Sequence, residues 1–258
     1  MAEIEDYIHR KSMLYKTGVE YGDYTMNFVQ GCSHGCKFPC YAYLQKKRFG
    51  LVKNYEDWCK PKLVSNTLDL LDKEIPRLKG KIESVQLCFS TDPFMYGSDE
   101  VENMALKSIK KLNDAGIKCT VLTKGILPVY LTSLSKENEY GITLVSLNES
   151  YRERMEPGAA PYQERLKSLL KLHEAGCKTW VSIEPYPTPN MIEQDLSELL
   201  EAVSFTDRII FGRTNYSKEA SSFKKHKDFY NEKAAEVIRF CEMRGIQYHI
   251  KEKTITEN

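Results

Sequence analysis

Three cysteines lie close together in the stretch GCSHGCKFPCYAY, residues 31–43, at positions 32, 36 and 40. Thiolates are soft ligands that suit zinc and iron–sulfur clusters. Structural zinc usually takes four ligands from two CxxC-type pairs, and thioredoxin-type redox chemistry needs CxxC, which is absent here. The spacing CX3CX3C therefore favours a [4Fe–4S] cluster, in which three cysteines leave one iron without a protein ligand. A Cys3His zinc site remains an alternative, with His34 and Cys59 as the nearest further ligands.

The other five cysteines are scattered singly along the chain. Cys88, Cys119 and Cys177 each lie in or beside an apolar run, which is typical of buried core thiols. Cys241 lies in the middle of a predicted helix and is also interpreted as a core residue. No second cysteine cluster is visible, so we expect no auxiliary iron–sulfur centre.

Length and composition limit the class of protein. The chain has 258 residues, 41% apolar and 28% charged, which suits a single α/β barrel. The formal net charge is +1, so the composition does not advertise a polyanionic partner. No apolar run reaches the roughly 18 residues of a membrane span, and the charged N-terminus lacks a signal-peptide pattern. We therefore expect a soluble, cytoplasmic protein that does not bind a membrane.

Strand-like and helix-like segments alternate along the chain and predict six β-α units. The predicted strands are 25–31, 82–90, 117–125, 141–149, 177–185 and 207–213, with a short last strand at 246–252. The predicted helices are 62–79, 101–116, 127–138, 161–176, 191–203 and 229–245. Short connections imply parallel strands with right-handed crossovers. We predict a partial (β/α)6 TIM-type barrel at 25–252, with an N-terminal extension at 1–24 and a tail at 253–258.

Polar side chains follow every predicted strand of this series. Ligands bind at the carboxyl ends of parallel strands, so these side chains are candidate binding residues. Besides the three cysteines they are Ser90, Thr91, Asp92, Thr123, Lys124, Ser146, Asn148, Ser182, Glu184, Arg213, Thr214 and Asn215. Lys124 and Glu184 directly prolong apolar runs, which distinguishes them from ordinary loop residues.

The cysteine loop, at the end of the first strand of a predicted β/α barrel, resembles the cluster loop of the radical SAM superfamily. Further blocks resemble the branch that contains spore photoproduct lyase and DNA repair photolyase-like proteins. In order, they are FSTDPF (89–94), VLTKG (121–125), TLVSLNE (143–149), MEPGAAPYQERLKSLLKLHEAG (155–176), WVSIEP (180–185) and FGRTNY (211–216). The resemblance covers the chain from about residue 25 to 250. It departs from the common CX3CX2C spacing at Pro39, an extra residue between Phe38 and Cys40.

The resemblance implies an enzyme with two cofactors, a [4Fe–4S] cluster and S-adenosylmethionine (SAM). In this superfamily the open iron binds the amino and carboxylate groups of SAM, and one electron cleaves the sulfonium–C5′ bond. The resulting 5′-deoxyadenosyl radical takes a hydrogen atom from the substrate, while the protein orients and shields the cofactor. An electron donor such as ferredoxin or flavodoxin is therefore an expected partner.

The resemblance also implies roles by position. Cys32, Cys36 and Cys40 would hold the cluster, and Lys124 would pair with the methionine carboxylate. The other expected cofactor contacts are Tyr41, Ala42 and Tyr43 at the adenine, Thr91 and Asp92 at the methionine amino group, and Ser146 and Asn148 at the ribose hydroxyls or carboxylate. Glu184 and Asn215 are assigned to cofactor or substrate. Arg165 is interpreted as a partner in a salt bridge on a helix surface.

The sequence does not identify the substrate. A DNA-lesion lyase is one alternative function, but the balanced charge disfavours tight nucleic-acid binding, which needs clustered Lys and Arg. The basic run FKKHK (223–227) is equally well explained as a solvated loop. A non-catalytic barrel with a structural zinc or iron–sulfur site is the second alternative.

Overall fold

Strands and helices alternate along most of the chain, of which the computed structural model describes residues 4, 6–20 and 22–256. The strands are β1 (Asp6–Ile8), β2 (Tyr15–Lys16), β3 (Tyr24–Met26), β4 (Val29–Gln30), β5 (Lys62–Val64), β6 (Ser84–Leu87), β7 (Lys118–Thr123), β8 (Glu139–Thr143), β9 (Lys178–Tyr186), β10 (Arg208–Arg213) and β11 (Gln247–Ile250). The helices are α1 (Tyr41–Arg48), α2 (Tyr55–Trp58), α3 (Thr67–Leu78), α4 (Asp99–Asp114), α5 (Glu149–Met155), α6 (Tyr162–Glu174), α7 (Leu196–Ala202), α8 (Lys218–Ser221) and α9 (His226–Arg244). A 3-10 turn spans Val129–Ser133.

The main sheet has the order β11-β10-β9-β8-β7-β6-β3-β2. All pairs from β3 to β11 are parallel, and only β2 runs antiparallel, to β3. Strands β1, β5 and β4 form a separate three-stranded sheet. Because β2 and β11 remain edges among the described strands, the barrel is partial and not closed, which confirms the predicted fold class.

Five predicted elements differ clearly from the structure. The predicted strand 141–149 ends at Thr143 as β8, and α5 begins at Glu149. The predicted strand 25–31 is split into β3 and β4, and β4 pairs with β5 in the small sheet. The predicted helix 62–79 begins as strand β5, and α3 starts only at Thr67. The predicted helix 127–138 is a short 3-10 turn, and the helix predicted from 191 begins at Leu196. The domain boundaries stay a prediction, and parts of segments 1–24 and 253–258 lie outside the described residues.

The two faces of the main sheet differ in chemistry because side chains alternate along each strand. One face packs on the helices and carries fully buried apolar residues such as Val85, Val121, Ile142, Val181 and Ile209. The register places a second set on the opposite, inner face of the barrel: Gln86, Thr120, Thr143, Trp180, Ser182, Glu184, Arg208, His249 and Lys251. The inner face therefore mixes these mostly polar side chains with apolar ones such as Leu122 and Ile210.

An ion-pair bridge joins the two edges of the main sheet. Glu20 lies in the connection between β2 and β3, yet its carboxylate is 2.6 Å from Nε2 of His249 and 3.0 Å from Nζ of Lys251, at the end of β11. Burial alone would raise the pKa of Glu20, but its bonds with Lys251 and His249 hold that pKa below its ordinary value. The open side of the barrel is thus bridged by side chains and not by strand pairing.

No helix within the described ranges is long and apolar enough to cross a bilayer.

Candidate active site at the cluster loop

Residues 31–40, the cluster loop, connect β4 to α1 at the carboxyl end of the first parallel unit. The loop starts at Gly31, whose φ of +89° suits glycine, and a Cβ there would lie 2.6 Å from the Trp58 carbonyl oxygen. The next residue, Cys32, donates its backbone N–H to the same carbonyl at 2.9 Å. Cys40 immediately precedes α1. The local sequence therefore fixes both ends of the loop that carries the three cysteines.

All three loop cysteines are half-buried and free of disulfides. Burial raises the pKa of the Cys36 thiol to about 11 and the pKa of Cys32 well above its ordinary range. The nearest cation is the Lys124 ammonium, 3.7 Å from the Cys36 Sγ, and it favours the Cys36 thiolate. Burial thus disfavours the thiolate forms of Cys32 and Cys36, and a bound iron would supply the driving force for their deprotonation.

Three soft thiols from one loop are donors that suit an iron–sulfur cluster. In a cubane cluster each cysteine binds a different iron. His34 is buried, accepts from the Tyr96 backbone N–H at Nε2 and faces Asp92 through Nδ1 at 3.5 Å, so it is engaged as a structural residue.

The segment 155–160 holds the cluster loop in place. Lys37 donates its backbone N–H to the Met155 carbonyl at 2.7 Å, and Gly158 donates to the His34 carbonyl at 2.9 Å. A Cβ at Gly158 would lie 2.4 Å from the Ser33 carbonyl oxygen, so this close approach requires glycine. Ala160 donates to the Lys124 carbonyl at 2.9 Å. The same segment therefore braces both the cysteine loop and the end of β7.

A buried charge triad lies beside the loop. The fully buried Glu156 carboxylate is 2.6 Å from Lys124 Nζ and 2.8 Å from a terminal nitrogen of Arg165. These contacts are ion pairs without well-aligned hydrogen bonds. Burial would raise the pKa of Glu156, but the Lys124 and Arg165 cations hold it below its ordinary value. The triad carries one excess positive charge, on a lysine that faces the cysteines.

The interpretation of Arg165 as a surface residue is wrong. Its side chain is fully buried and donates to the carbonyls of Ala160 at 2.8 Å and Thr143 at 3.0 Å. The sequence does not predict the burial of Arg165, because the hydrophobic period of its helix does not reveal a buried carboxylate partner. The sequence also gave no signal for the role of Glu156, which lies in a loop-like block of Pro, Gly and Ala.

Asp92 is committed to the local structure. Its Oδ1 accepts from the Thr123 hydroxyl at 2.6 Å and the Phe94 backbone N–H at 2.9 Å, and its Oδ2 accepts from the Lys124 backbone N–H at 2.7 Å. Thr91 is half-buried and its hydroxyl donates to the Val29 carbonyl at 3.3 Å. These bonds tie the end of β6 to the end of β7. Contact of either residue with a methionine amino group stays a prediction.

Ser146 and Asn148 line a cavity of about 290 Å³, together with Glu193, Gln194, Asp195 and Glu198. The Ser146 Oγ accepts from the Asn148 backbone N–H at 3.0 Å, and the Asn148 side chain caps α5 by accepting from the Tyr151 N–H at 3.0 Å. Ser146 is fully buried and Asn148 is exposed, so only Asn148 combines its structural bond with access to solvent.

The residues that follow Cys40 point in different directions. Ala42 lies on the buried side of α1, whereas the Tyr41 side chain is exposed. The Tyr43 ring packs against the rings of Tyr55 and Trp58, with centroids 5.0 and 6.4 Å apart. Adenine contacts by these three residues stay a prediction.

Two further predicted residues lie apart from the cluster loop. Glu184 is close to Gly212 and Lys251, and burial raises the pKa of its carboxyl group, with Lys251, Glu20 and His249 as the charges that act on it. Asn215 accepts from the Arg213 guanidinium at 2.9 Å. The structure therefore gathers Cys36, Lys124 and Asp92 near one another but places Glu184 with the bridge between the sheet edges.

Comparison with known proteins decides the family. The family model of the radical SAM superfamily matches residues 26–203, more than half of the chain. The chain belongs to the radical SAM superfamily. Enzymatic activity is the common property of this superfamily, and the predicted membership is confirmed.

Similar radical SAM folds are found among solved structures. Spore photoproduct lyase complexed with dinucleoside spore photoproduct matches 95% of this chain and 81% of its own, with a TM-score of 0.68 and 15% identity. SuiB of Streptococcus suis bound to S-adenosylmethionine matches 70% of this chain and 43% of its own, with a TM-score of 0.51 and 17% identity. At these identities the likeness shows the fold alone.

Two uncharacterised proteins are similar in sequence. ORF301 of Acidianus two-tailed virus is 29% identical over 197 residues, which are 72% of this chain. This match spans 64% of the length of ORF301. MJ0683 of Methanocaldococcus jannaschii is 26% identical over 234 residues, which are 90% of this chain and 85% of MJ0683.

Proposed function

We propose that this radical SAM protein binds a [4Fe–4S] cluster through Cys32, Cys36 and Cys40 and cleaves SAM reductively. When bound, the two cofactors supply a 5′-deoxyadenosyl radical that abstracts a hydrogen atom from the substrate. The observation that carries the proposal is the cysteine loop at the carboxyl end of the barrel, with the Lys124 ammonium 3.7 Å from the Cys36 sulfur.

Lys124 is the residue best suited to bind the methionine carboxylate of SAM. The Lys124 ammonium pairs with Glu156, and its Nζ lies 5.3 Å from the centroid of the Phe38 ring. An ammonium has three donors, so a second carboxylate can bind without displacing Glu156. Arg165 neutralises the remaining charge of Glu156, which leaves the Lys124 cation available to the cofactor.

The carboxyl-end part of the inner face supports a polar substrate. Glu184, near the end of β9, and Lys251, just after β11, both lie close to Gly212. Arg208 pairs with Glu139 at 2.6 Å and stacks on the Trp180 ring at the amino ends of these strands, so this group braces the far end of the barrel. We infer that the substrate offers hydrogen-bonding groups to Glu184 and Lys251, and that the bridge through Glu20 limits entry from the open side of the barrel.

Anaerobic reconstitution with iron and sulfide tests the proposal. We expect a brown protein that releases 5′-deoxyadenosine when both dithionite and SAM are present, because reductive cleavage needs the reduced cluster. Omission of dithionite is the control and should abolish release. A colourless protein that retains zinc and forms no 5′-deoxyadenosine would contradict the proposal and favour a non-catalytic scaffold.

A further inference from the structure

A surface of exposed apolar and basic side chains lies next to the cluster loop. It consists of Leu44, Lys47, Arg48, Phe49 and Leu51, and we name it the α1 surface. The three apolar side chains are 41%, 68% and 52% exposed, respectively. Helix α1 begins one residue after Cys40, so this surface and the proposed cluster share a short stretch of chain.

The inner side of α1 already accounts for its attachment to the protein. Ala42 and Val52 are buried with Trp58 in a small apolar cluster, against which Tyr43, Cys32 and Cys40 pack. The residues of the α1 surface lie outside this cluster. Since folding does not require Phe49 or Leu51 to be apolar, their exposure indicates an interaction site.

The charge around this surface is strongly one-sided. Residues 37–60 contain six basic and two acidic side chains, in a chain whose net charge is only +1. No described carboxylate forms an ion pair with Lys46, Lys47 or Arg48. Burial and the nearby Arg10 lower the pKa of Lys46, so a further cation adjoins the helix. The sequence pattern did not single out this basic surface.

We propose that the α1 surface is the docking site for a small acidic electron carrier, a flavin or iron–sulfur protein. This inference rests on the proposed function, because only a redox cluster at Cys32, Cys36 and Cys40 needs such a partner. Apolar side chains beside basic ones match the apolar core and polar rim of a transient interface. Electron-transfer complexes are small, so one helix and the following turn suffice.

The electron step has a simple balance. The carrier loses one electron and the cluster site gains one, with no bond formed or broken at the interface. Electron transfer becomes steeply slower with distance, which favours docking on the helix that continues directly from a cluster ligand. Positive charge on α1 would steer an acidic carrier to this position and make the association salt-dependent.

A basic surface also attracts nucleic acid, but the observations here favour a protein carrier. Tight binding along a phosphate backbone needs many clustered cations. Here three consecutive basic residues, 46–48, are flanked by the exposed Leu44, Phe49 and Leu51, which a phosphate backbone would leave in water. A carrier bound at this position, beside the proposed cluster, could also reduce the cluster directly.

The double substitution Lys47→Glu/Arg48→Glu separates docking from chemistry in the reconstituted enzyme. 5′-Deoxyadenosine formation is measured with dithionite, with a reduced flavodoxin and with a reduced acidic ferredoxin. Binding of each oxidised carrier to the protein is measured separately by titration calorimetry, and the α1 variant should bind the better carrier more weakly than the wild type does. We expect kcat/KM for the better carrier to fall about tenfold or more, as electrostatic steering is reversed. The dithionite-driven rate should stay unchanged, because this small reductant needs no docking surface.

Lys224→Glu/Lys227→Glu is the matched control, since it reverses two exposed charges in the FKKHK segment. It should leave the carrier-driven and dithionite-driven rates unchanged. Equal carrier-driven rates in the two double variants would overturn the docking proposal. So would a wild-type enzyme that is active with dithionite but with neither carrier. An α1 variant that keeps its carrier-driven rate and loses only its affinity for a single-stranded oligonucleotide would also overturn it. Absence of dithionite-driven cleavage in the wild type would instead overturn the proposed function.

Discussion

Replacing Cys36 with alanine is expected to abolish the iron–sulfur centre and, with it, SAM cleavage. Cys36 is one of only three thiols in the cluster loop and the one closest to Lys124. Loss of a group that merely supports a metal ligand costs about 10–100-fold, so loss of a ligand should lower 5′-deoxyadenosine formation by more than about a hundredfold. Iron and sulfide content after anaerobic reconstitution and the rate of 5′-deoxyadenosine release provide the measurement.

Cys59→Ala is the matched control for this experiment. Cys59 is half-buried and packs on the same small apolar cluster as Cys32 and Cys40, but it lies outside the loop. We expect this variant to keep its iron and its activity. If both variants lose iron equally, Cys59 is a fourth ligand and no iron is left open. If neither loses iron, the loop does not hold the metal.

Replacing Glu156 with glutamine is expected to destabilise the folded protein by about 3–5 kcal/mol, because it leaves the buried Lys124 and Arg165 cations without a counter-charge. Both cations approach the Glu156 oxygens closely, at 2.6 and 2.8 Å; Glu156 and Arg165 are fully buried and Lys124 is mostly buried. The measurement is the free energy of unfolding from denaturant titration of the metal-free protein at pH 7.

Two comparisons make the Glu156 result specific. Asp114→Asn removes an exposed ion pair with Lys110 and should leave the free energy of unfolding essentially unchanged, because solvent screens the pair. The double variant Glu156→Gln/Arg165→Met removes one of the orphaned cations and should be less destabilised than the sum of its single variants. A loss below about 1 kcal/mol for Glu156→Gln would show that the triad is not a buried charge network.

The parallel core of the fold was predictable because its strands are short apolar runs separated by helices with a clear period. Strand β7 and helix α6 are examples in which local pattern and tertiary burial agree. The single strand predicted at 25–31 is wrong, because its periodicity does not reveal that β4 leaves the main sheet and pairs with β5. The helix predicted at 127–138 is wrong. Its composition is compatible with a helix, but the structure forms only a short 3-10 turn there.

The candidate site was predictable where function depends on residue type and spacing, as for the three cysteines and for Lys124 at the end of β7. It was not predictable where function depends on contacts distant in sequence. Position 158 must be glycine because the Ser33 carbonyl oxygen approaches it closely. Arg165 can be buried because it pairs with Glu156, which lies outside its helix. A linear pattern contains no signal for such pairs.

The central claim is that a cluster held by three cysteines leaves one iron open to SAM. Electron paramagnetic resonance of the anaerobically reconstituted, dithionite-reduced protein, recorded with and without SAM, tests it most directly. We predict a [4Fe–4S]⁺ signal whose g-values shift when SAM is added, with magnetic coupling to ¹⁵N placed in the SAM amino group. A cluster signal that SAM leaves unchanged, or no cluster signal after reconstitution, would contradict the claim.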